Sequence, residues 1–190
     1  IRETLQSLLL QDYDGEVELI VINDGSSDQT VSEVRQIERQ DPRLRLIDLA
    51  HNGGKSAALN EGLAQSQHEL VISVDADCWI RTDGVRHLVE RLLSDPDNTA
   101  AVAGCILIRN SRENWLTRAQ EWDYFLGIAA IKRIQSLFQG TLVAQGAFSI
   151  YRKVALIQVG GWPKTVGEDI VLTWRLLAKG YRIGHSSDAC

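Results

Sequence analysis

Apolar residues follow two different spacings along the 190-residue chain. Short runs rich in branched aliphatic side chains, at 17–23 (Val-Glu-Leu-Ile-Val-Ile-Asn), 44–48, 70–74 and 100–109, predict strands. Helical spacing marks 1–11, 30–40, 55–64 and 83–93. Turn-forming clusters separate these segments at 12–15, 24–28, 53–54 and 94–98. Strands and helices in alternation predict βαβ units with right-handed crossovers, hence an α/β fold with a mostly parallel central sheet flanked by helices. The second half is less regular. Residues 114–138 carry Trp115, Trp122, Phe125, Ile131 and Phe138 at helical spacing, while Arg118, Glu121, Asp123, Lys132 and Arg133 form no single polar face. The pattern predicts a helix packed on the sheet; the alternative is a helix at a membrane interface. Residues 145–151 read as a strand and 153–159 as a short helix. A clear amphipathic helix opens at Glu168-Asp169, with Ile170, Leu172, Leu176 and Leu177 as its apolar stripe and Gly180 as its stop.

Composition narrows the classes. A chain 44% hydrophobic and 24% charged is that of an ordinary globular domain, and 190 residues suffice for one full core. The net charge of −5 leaves no basic footprint for nucleic acid. Three widely spaced cysteines, Cys78, Cys105 and Cys190, with no Cys-x-x-Cys pair, indicate neither a disulfide framework nor a zinc site, and a reducing compartment is the simplest expectation. No apolar run approaches 18 residues, so no segment is expected to span a bilayer, and no signal-peptide pattern opens the chain. The sequence starts inside a helical pattern without Met and stops just after an expected strand, as expected of a piece of something longer.

The candidate chemistry is acidic. The run Leu70–Val74 ends at Asp75-Ala76-Asp77, and in open α/β sheets ligands bind beyond the carboxyl ends of the strands. Two carboxylates one residue apart repel each other unless a cation lies beside them, and a divalent ion escorting a diphosphate meets that need. The competing reading is a strand-end Asp followed by a turn Asp. Two further clusters, at 24–28 and 168–169, also fall at a strand end and a helix start, although acidic residues in a first helical turn often serve only the helix dipole. Gly53-Gly54-Lys55-Ser56 has the ending of a phosphate-binding P-loop, but that loop needs a glycine where Leu49 stands. His51, His68, His87 and His185 share no metal-ligand spacing and are expected at the surface or locally hydrogen-bonded. Trp162 and Trp174 are candidates for sugar stacking or for the core.

The motifs Val21-Ile22-Asn23-Asp24-Gly25-Ser26-Ser27-Asp28, Asn52-Gly53-Gly54-Lys55-Ser56-Ala57-Ala58-Leu59-Asn60, Val74-Asp75-Ala76-Asp77, Gln145-Gly146-Ala147-Phe148, Gly160-Gly161-Trp162 and Gly167-Glu168-Asp169 through Leu176 occur in one order over nearly the whole chain. Together they resemble the catalytic domain of a family 2 glycosyltransferase of the GT-A nucleotide-diphospho-sugar transferase type. The last two look most like the membrane-embedded polysaccharide synthases. The resemblance implies a single catalytic domain over 1–190, truncated at both ends, with a nucleotide-binding half at about 1–110 and an acceptor half at about 111–190. It further implies a UDP-sugar donor, UDP-N-acetylglucosamine or UDP-glucose, with Asp24 accepting from uracil and Asp75 beside the ribose and diphosphate. Asp77 would ligate Mg²⁺ or Mn²⁺, Lys55 would contact the nucleotide, and Asp169 would act as general base on a glycan acceptor, with Glu168 ranked below it. The product would be β-linked by inversion. The domain would face the cytoplasm, joined to a membrane by segments outside this chain.

Two departures accompany the resemblance. The fold's usual first strand, ahead of the opening helix, has no counterpart here, nor does the Gln-x-x-Arg-Trp element of the synthases. A chain without both is not expected to polymerise sugar alone. The alternatives are a non-processive transferase acting on a lipid or protein, and a catalytically silent nucleotide-sugar-binding module.

Overall fold

The computed structural model describes residues 1–138 and 140–190, with side chains at 127–129, 136 and 137 left aside. In chain order the elements are α1 (Arg2–Leu9), β1 (Leu19–Asn23), α2 (Thr30–Glu38), β2 (Leu44–Asp48), α3 (Lys55–Gln65), β3 (Leu70–Val74), α4 (Gly84–Ser94) and β4 (Thr99–Ala103). The second half contains α5 (Trp115–Tyr124), a π-helical segment (Phe125–Ala130), α6 (Ile131–Leu137), β5 (Phe148–Arg152), α7 (Lys153–Gln158), α8 (Glu168–Ala178) and β6 (Arg182–His185). The alternation read from the sequence is thus an α/β fold.

The strands fall into a two-stranded sheet, β1-β2, and a four-stranded one ordered β3-β5-β4-β6. β1 and β2 pair in parallel, as do β4 and β6. β5 runs antiparallel to both its neighbours, β3 and β4. The mostly parallel expectation therefore holds for strand direction, with β5 as the reversed member. The reversal is a long-range pairing of β5 between two earlier strands, and hydrophobic period does not encode it.

Each sheet has its own core. Leu5, Val34, Ile37 and Leu44 bury α1 and α2 against β1-β2. In the larger sheet, Leu88, Leu92, Val102, Phe148 and Ile150 pack α4 on one face. Tyr151, Leu156, Trp162, Leu172, Leu176 and Ile183 pack α7 and α8 on the other. Trp162 is 2% exposed and stacks edge-on against Tyr151, with ring centroids 5.6 Å apart, so of its two expected roles it takes the core one. Between β1 and β3 lies a cleft of about 740 Å³, lined by Val17–Ile22 and His68–Ala76.

Two expectations from periodicity change. The strand expected over 100–109 stops at Ala103; beyond it Gly104 N still donates to Phe148 O (2.9 Å), and Cys105 N donates to Ala189 O (2.7 Å). The helix expected over 114–138 is interrupted by the π-helical segment, where one extra residue per turn resets the face. Asn114 begins α5 with a reciprocal capping box to Thr117. No α5 residue is buried, and Trp115 and Trp122 are exposed, so α5 does not pack on the sheet as expected. No helix among the described residues is long and apolar enough to cross a membrane.

The end of α8 follows the sequence closely. Gly180 takes a φ of +85°, donates to Leu177 O, and lets Tyr181 donate to Leu176 O. This is the paired C-terminal closure that glycine permits without a Cβ clash.

Candidate active site

The acidic clusters meet at the carboxyl ends of β1 and β3. Asp24 follows β1 directly. Its Oδ1 accepts the Gly53 amide and its Oδ2 the Gly54 amide, both at 2.7 Å. These amides precede α3, so Asp24 caps a helix start from another element and neutralises two donors that the helix cannot use. The Asn52 side chain adds a bond to Asp24 O at 2.7 Å. Gly54 has a φ of +84°, the left-handed geometry that turns the chain sharply into α3 and aims Lys55 across the site. Asp28, in the same cluster, accepts the Thr30 amide at 3.0 Å and serves the turn into α2.

Lys55 is the hub. Its Nζ lies 2.6 Å from Asp75 Oδ1 and 3.6 Å from Glu168 Oε1. Partial burial works against its charge, but the two carboxylates outweigh burial and its pKa is raised. Lys55 therefore stays an ammonium at neutral pH. It pairs carboxylates that the sequence analysis considered separately, and Glu168, ranked below Asp169, turns inward to it. Gly146 lies directly above: a Cβ there would come within 3.2 Å of Lys55 Nζ and 3.8 Å of Glu168 Oε1.

Asp75 and Asp77 sit on the turn after β3. The Asp75 amide donates to Ala147 O (3.2 Å), and Asp75 O accepts from Cys78 N (3.1 Å). That turn lifts Asp77 outward, where it is exposed and forms no ion pair among the described residues. Its Oδ1 lies 4.0 Å from Cys78 Sγ. Around Asp77, a hollow of about 290 Å³ is bounded by Glu33, Trp79 and Arg109.

Asp169 is the second residue of α8, two after Gly167, whose φ is +72°. Its Oδ2 accepts the Gly146 amide at 3.3 Å, and its Oδ1 accepts the Ile170 amide at 2.8 Å. The strap 140–147 is fastened on both sides. Ala144 N donates to Thr173 Oγ1 (2.9 Å), and the Lys132 ammonium donates to Val143 O (2.8 Å). Burial lowers the Lys132 pKa to about 7, against the opposing pull of Asp169. In the sequence Lys132 stands only as one of several charges with no common polar face on 114–138; its burial comes from contacts outside that segment.

The structure thus joins Asp75, Lys55, Glu168 and Asp169, places Asp77 beside them, and ties Asp24 to Lys55 through the start of α3. Of the other candidates, Trp174 lies exposed on α8. His185, expected at the surface or locally bonded, is 4% exposed and hydrogen-bonded to Ala103 O at 3.0 Å. No group of three His, Cys, Asp or Glu side chains that could hold a metal occurs among the described residues.

Comparison with known proteins gives one consistent result. The sequence profile described as Glycosyl transferase family 2 matches residues 1–160. Poly-beta-1,6-N-acetyl-D-glucosamine synthase of Staphylococcus aureus (strain COL) is 35% identical over 184 residues, covering 96% of this chain and 44% of the relative. The synthase of the same name from Staphylococcus epidermidis is 36% identical over 190 residues, covering 100% of this chain and 45% of the relative. The chain therefore spans less than half the length of these curated relatives. Among solved structures, the mannosyltransferase PcManGT from Pyrobaculum calidifontis, in complex with GDP-Man and Mn²⁺, superimposes with a TM-score of 0.82 at 25% identity. The match covers 100% of this chain and 51% of that one.

Proposed function

The chain belongs to glycosyl transferase family 2, and from that premise we propose that it transfers N-acetylglucosamine from UDP-N-acetylglucosamine to a growing glycan, inverting the anomeric carbon to give a β-linkage. The observation that carries this reading is the convergence of Asp75, Lys55, Glu168 and Asp169 at the strand ends, with Asp77 exposed nearby and in no ion pair among the described residues. The choice of sugar is supported by the names of the curated relatives.

The residues present fit a divalent cation. Asp77 offers hard oxygen donors free of any ammonium or guanidinium among the described residues, and Asp75 stands two residues before it. Too few side chains gather to enclose an ion, which suits Mg²⁺ or Mn²⁺, since such sites usually leave positions for water and substrate phosphate. That PcManGT is seen with Mn²⁺ supports the same choice. When bound, the ion would supply Lewis-acid stabilisation of the departing diphosphate.

The chain's own residues divide the remaining work. Asp24 holds the start of α3 and keeps lone pairs for the base of the nucleotide. Lys55 fixes Asp75 and brings positive charge to where phosphates gather. Asp169, held by the Gly146 and Ile170 amides, accepts the proton from the acceptor hydroxyl as it attacks the anomeric carbon. The Lys132 ammonium supports the strap that orients Asp169. Attack opposite the departing UDP gives inversion. The full protein would work at the cytoplasmic face of a membrane, held there by segments beyond those described.

Calorimetric titration with UDP, with and without Mn²⁺, on the chain and on Asp77→Asn tests this. Metal-dependent binding that the substitution weakens at least tenfold is expected. Binding to a folded sample that is indifferent to both Mn²⁺ and the substitution refutes the proposed metal site.

A further inference from the structure

We propose that Cys105 and Cys190 form a reversible thiol–disulfide pair, a modification site at which hydrogen peroxide ties the segment after β6 to the end of β4.

The geometry comes from the backbone. Ala103 lies opposite His185 in the parallel β4-β6 ladder, and Ser186 N donates to Ala103 O at 2.9 Å. Past that point, Cys105 N donates to Ala189 O at 2.7 Å. In a parallel ladder an amide bonds the carbonyl one residue before its opposite number, so this bond, beyond the end of the β4-β6 pairing, brings Cys105 beside Cys190. The intervening residues bulge outward, and Ala189 N closes the bulge on Ser186 Oγ at 3.3 Å. Parallel neighbours lie about 4.8 Å apart, within the Cα separation that a disulfide spans. Opposed residues share one face, and Cys190 Sγ itself lies 3.7 Å from Ser187 O, inside the same bulge.

The surroundings favour reaction at Cys105. The neighbouring Cys190 thiol, then the Arg133 and Lys132 charges, outweigh burial and hold the Cys105 pKa below that of an ordinary thiol. That raises its share of thiolate, the nucleophilic form. The Cys190 pKa is raised, chiefly by its Cys105 neighbour. The Cys105 thiolate attacks one peroxide oxygen and the O–O bond breaks, giving a sulfenic acid and, after protonation, water. The Cys190 sulfur then attacks the Cys105 sulfur. The S–S bond forms, the S–O bond breaks, and the hydroxide leaves as water with the Cys190 proton. Two thiols and one peroxide become one disulfide and two waters.

The link reaches toward the site. Arg81 N donates to Cys190 O at 2.8 Å, and the Gln11 side chain donates to Arg81 O, also at 2.8 Å. Oxidation therefore fastens the loop running from Asp77 to α4 onto the end of β4.

The test treats the chain with hydrogen peroxide, blocks remaining thiols by alkylation, and maps peptides without reduction. The expected product has lost two hydrogens, joins Cys105 to Cys190, leaves Cys78 alkylated, and returns to three thiols with dithiothreitol. Cys105 should react at least tenfold faster than Cys78, and in Cys190→Ser its sulfenic acid should accumulate and be trapped by dimedone. Oxidation of Cys105 to the sulfinic acid while Cys190 stays alkylatable would overturn the proposal. So would a linkage through Cys78, or a folded chain whose Cys105 reacts no faster than in urea.

Discussion

His185 makes the stability of the domain depend steeply on acid. It ends β6, is 4% exposed, and bonds Ala103 O through Nδ1 at 3.0 Å. That bond makes Nδ1–H the donor and leaves Nε2 bare, and Nε2 is buried with no partner among the described residues. Protonating Nε2 therefore places an unsatisfied cation indoors. Burial, then the nearby Lys132 charge, lowers the pKa to about 4 from an unfolded value of 6.5, with Arg133 and Arg91 adding smaller repulsions. Between those values the unfolded chain binds more protons, so stability is complete above pH 6.5 and falls as pH drops toward 4. Integrating the linkage gives a loss of about 2 kcal/mol by pH 5 and about 3 kcal/mol by pH 4. Urea unfolding at pH 7, 5 and 4, for the chain and for His185→Gln, isolates this contribution, because a glutamine amide can keep the bond to Ala103 but cannot titrate. The wild-type minus variant difference should fall by about 3 kcal/mol across the range. A difference flat within about 0.5 kcal/mol refutes the buried neutral histidine.

Other perturbations probe the site. Asp24→Ala strips two charge-assisted acceptors from the start of α3 and should cost about 2 kcal/mol in urea unfolding, with weakened UDP binding in the same samples. Asp169→Asn should keep donor binding while cutting transfer by the full-length protein about 10²–10⁴-fold, read as an unchanged donor Kd with a collapsed kcat. In Gly161→Ala, the new Cβ would collide with Asn60 Oδ1 at a φ of +67°. It would break the Asn60 contacts to Trp162 N (2.9 Å) and Trp162 O (2.8 Å) and lower stability by about 1–3 kcal/mol.

The legible parts of the sequence were those set by local periodicity and end chemistry. β2 (Leu44–Asp48) and β3 (Leu70–Val74) have the bounds expected, and Gly54 and Gly180 sit where positive φ is needed. Asp24, Asp75 and Asp169 could be found because each follows a strand or opens a helix, positions that topology gathers at one edge. What stayed hidden depends on partners far away in sequence. The reversed β5, the inward turn of Glu168 and the burial of Lys132 and His185 all arise from contacts made across the fold. The aromatic spacing of 114–138 signalled helix correctly, yet gave no sign of the π-helical break or of the exposure of α5.

The placement of Lys55 gives the motifs one physical logic. Gly53 and Gly54 are held by Asp24, which fixes the start of α3 relative to the end of β1. The first residue of that helix then reaches Asp75 beyond β3 and Glu168 at the start of α8. One ammonium thus compensates two carboxylates that would otherwise repel each other, while Asp77 is left outside its reach. Under the proposed function a diphosphate would bring negative charge to the same ammonium and its cation positive charge to Asp77. Donor binding would then redistribute charges already in place rather than assemble them. Lys55→Met should consequently weaken UDP binding more than tenfold even with Mn²⁺ saturating, because Asp75 and Glu168 would then face the phosphates uncompensated. Equal binding by the variant would show that Lys55 serves only to hold the apo site together.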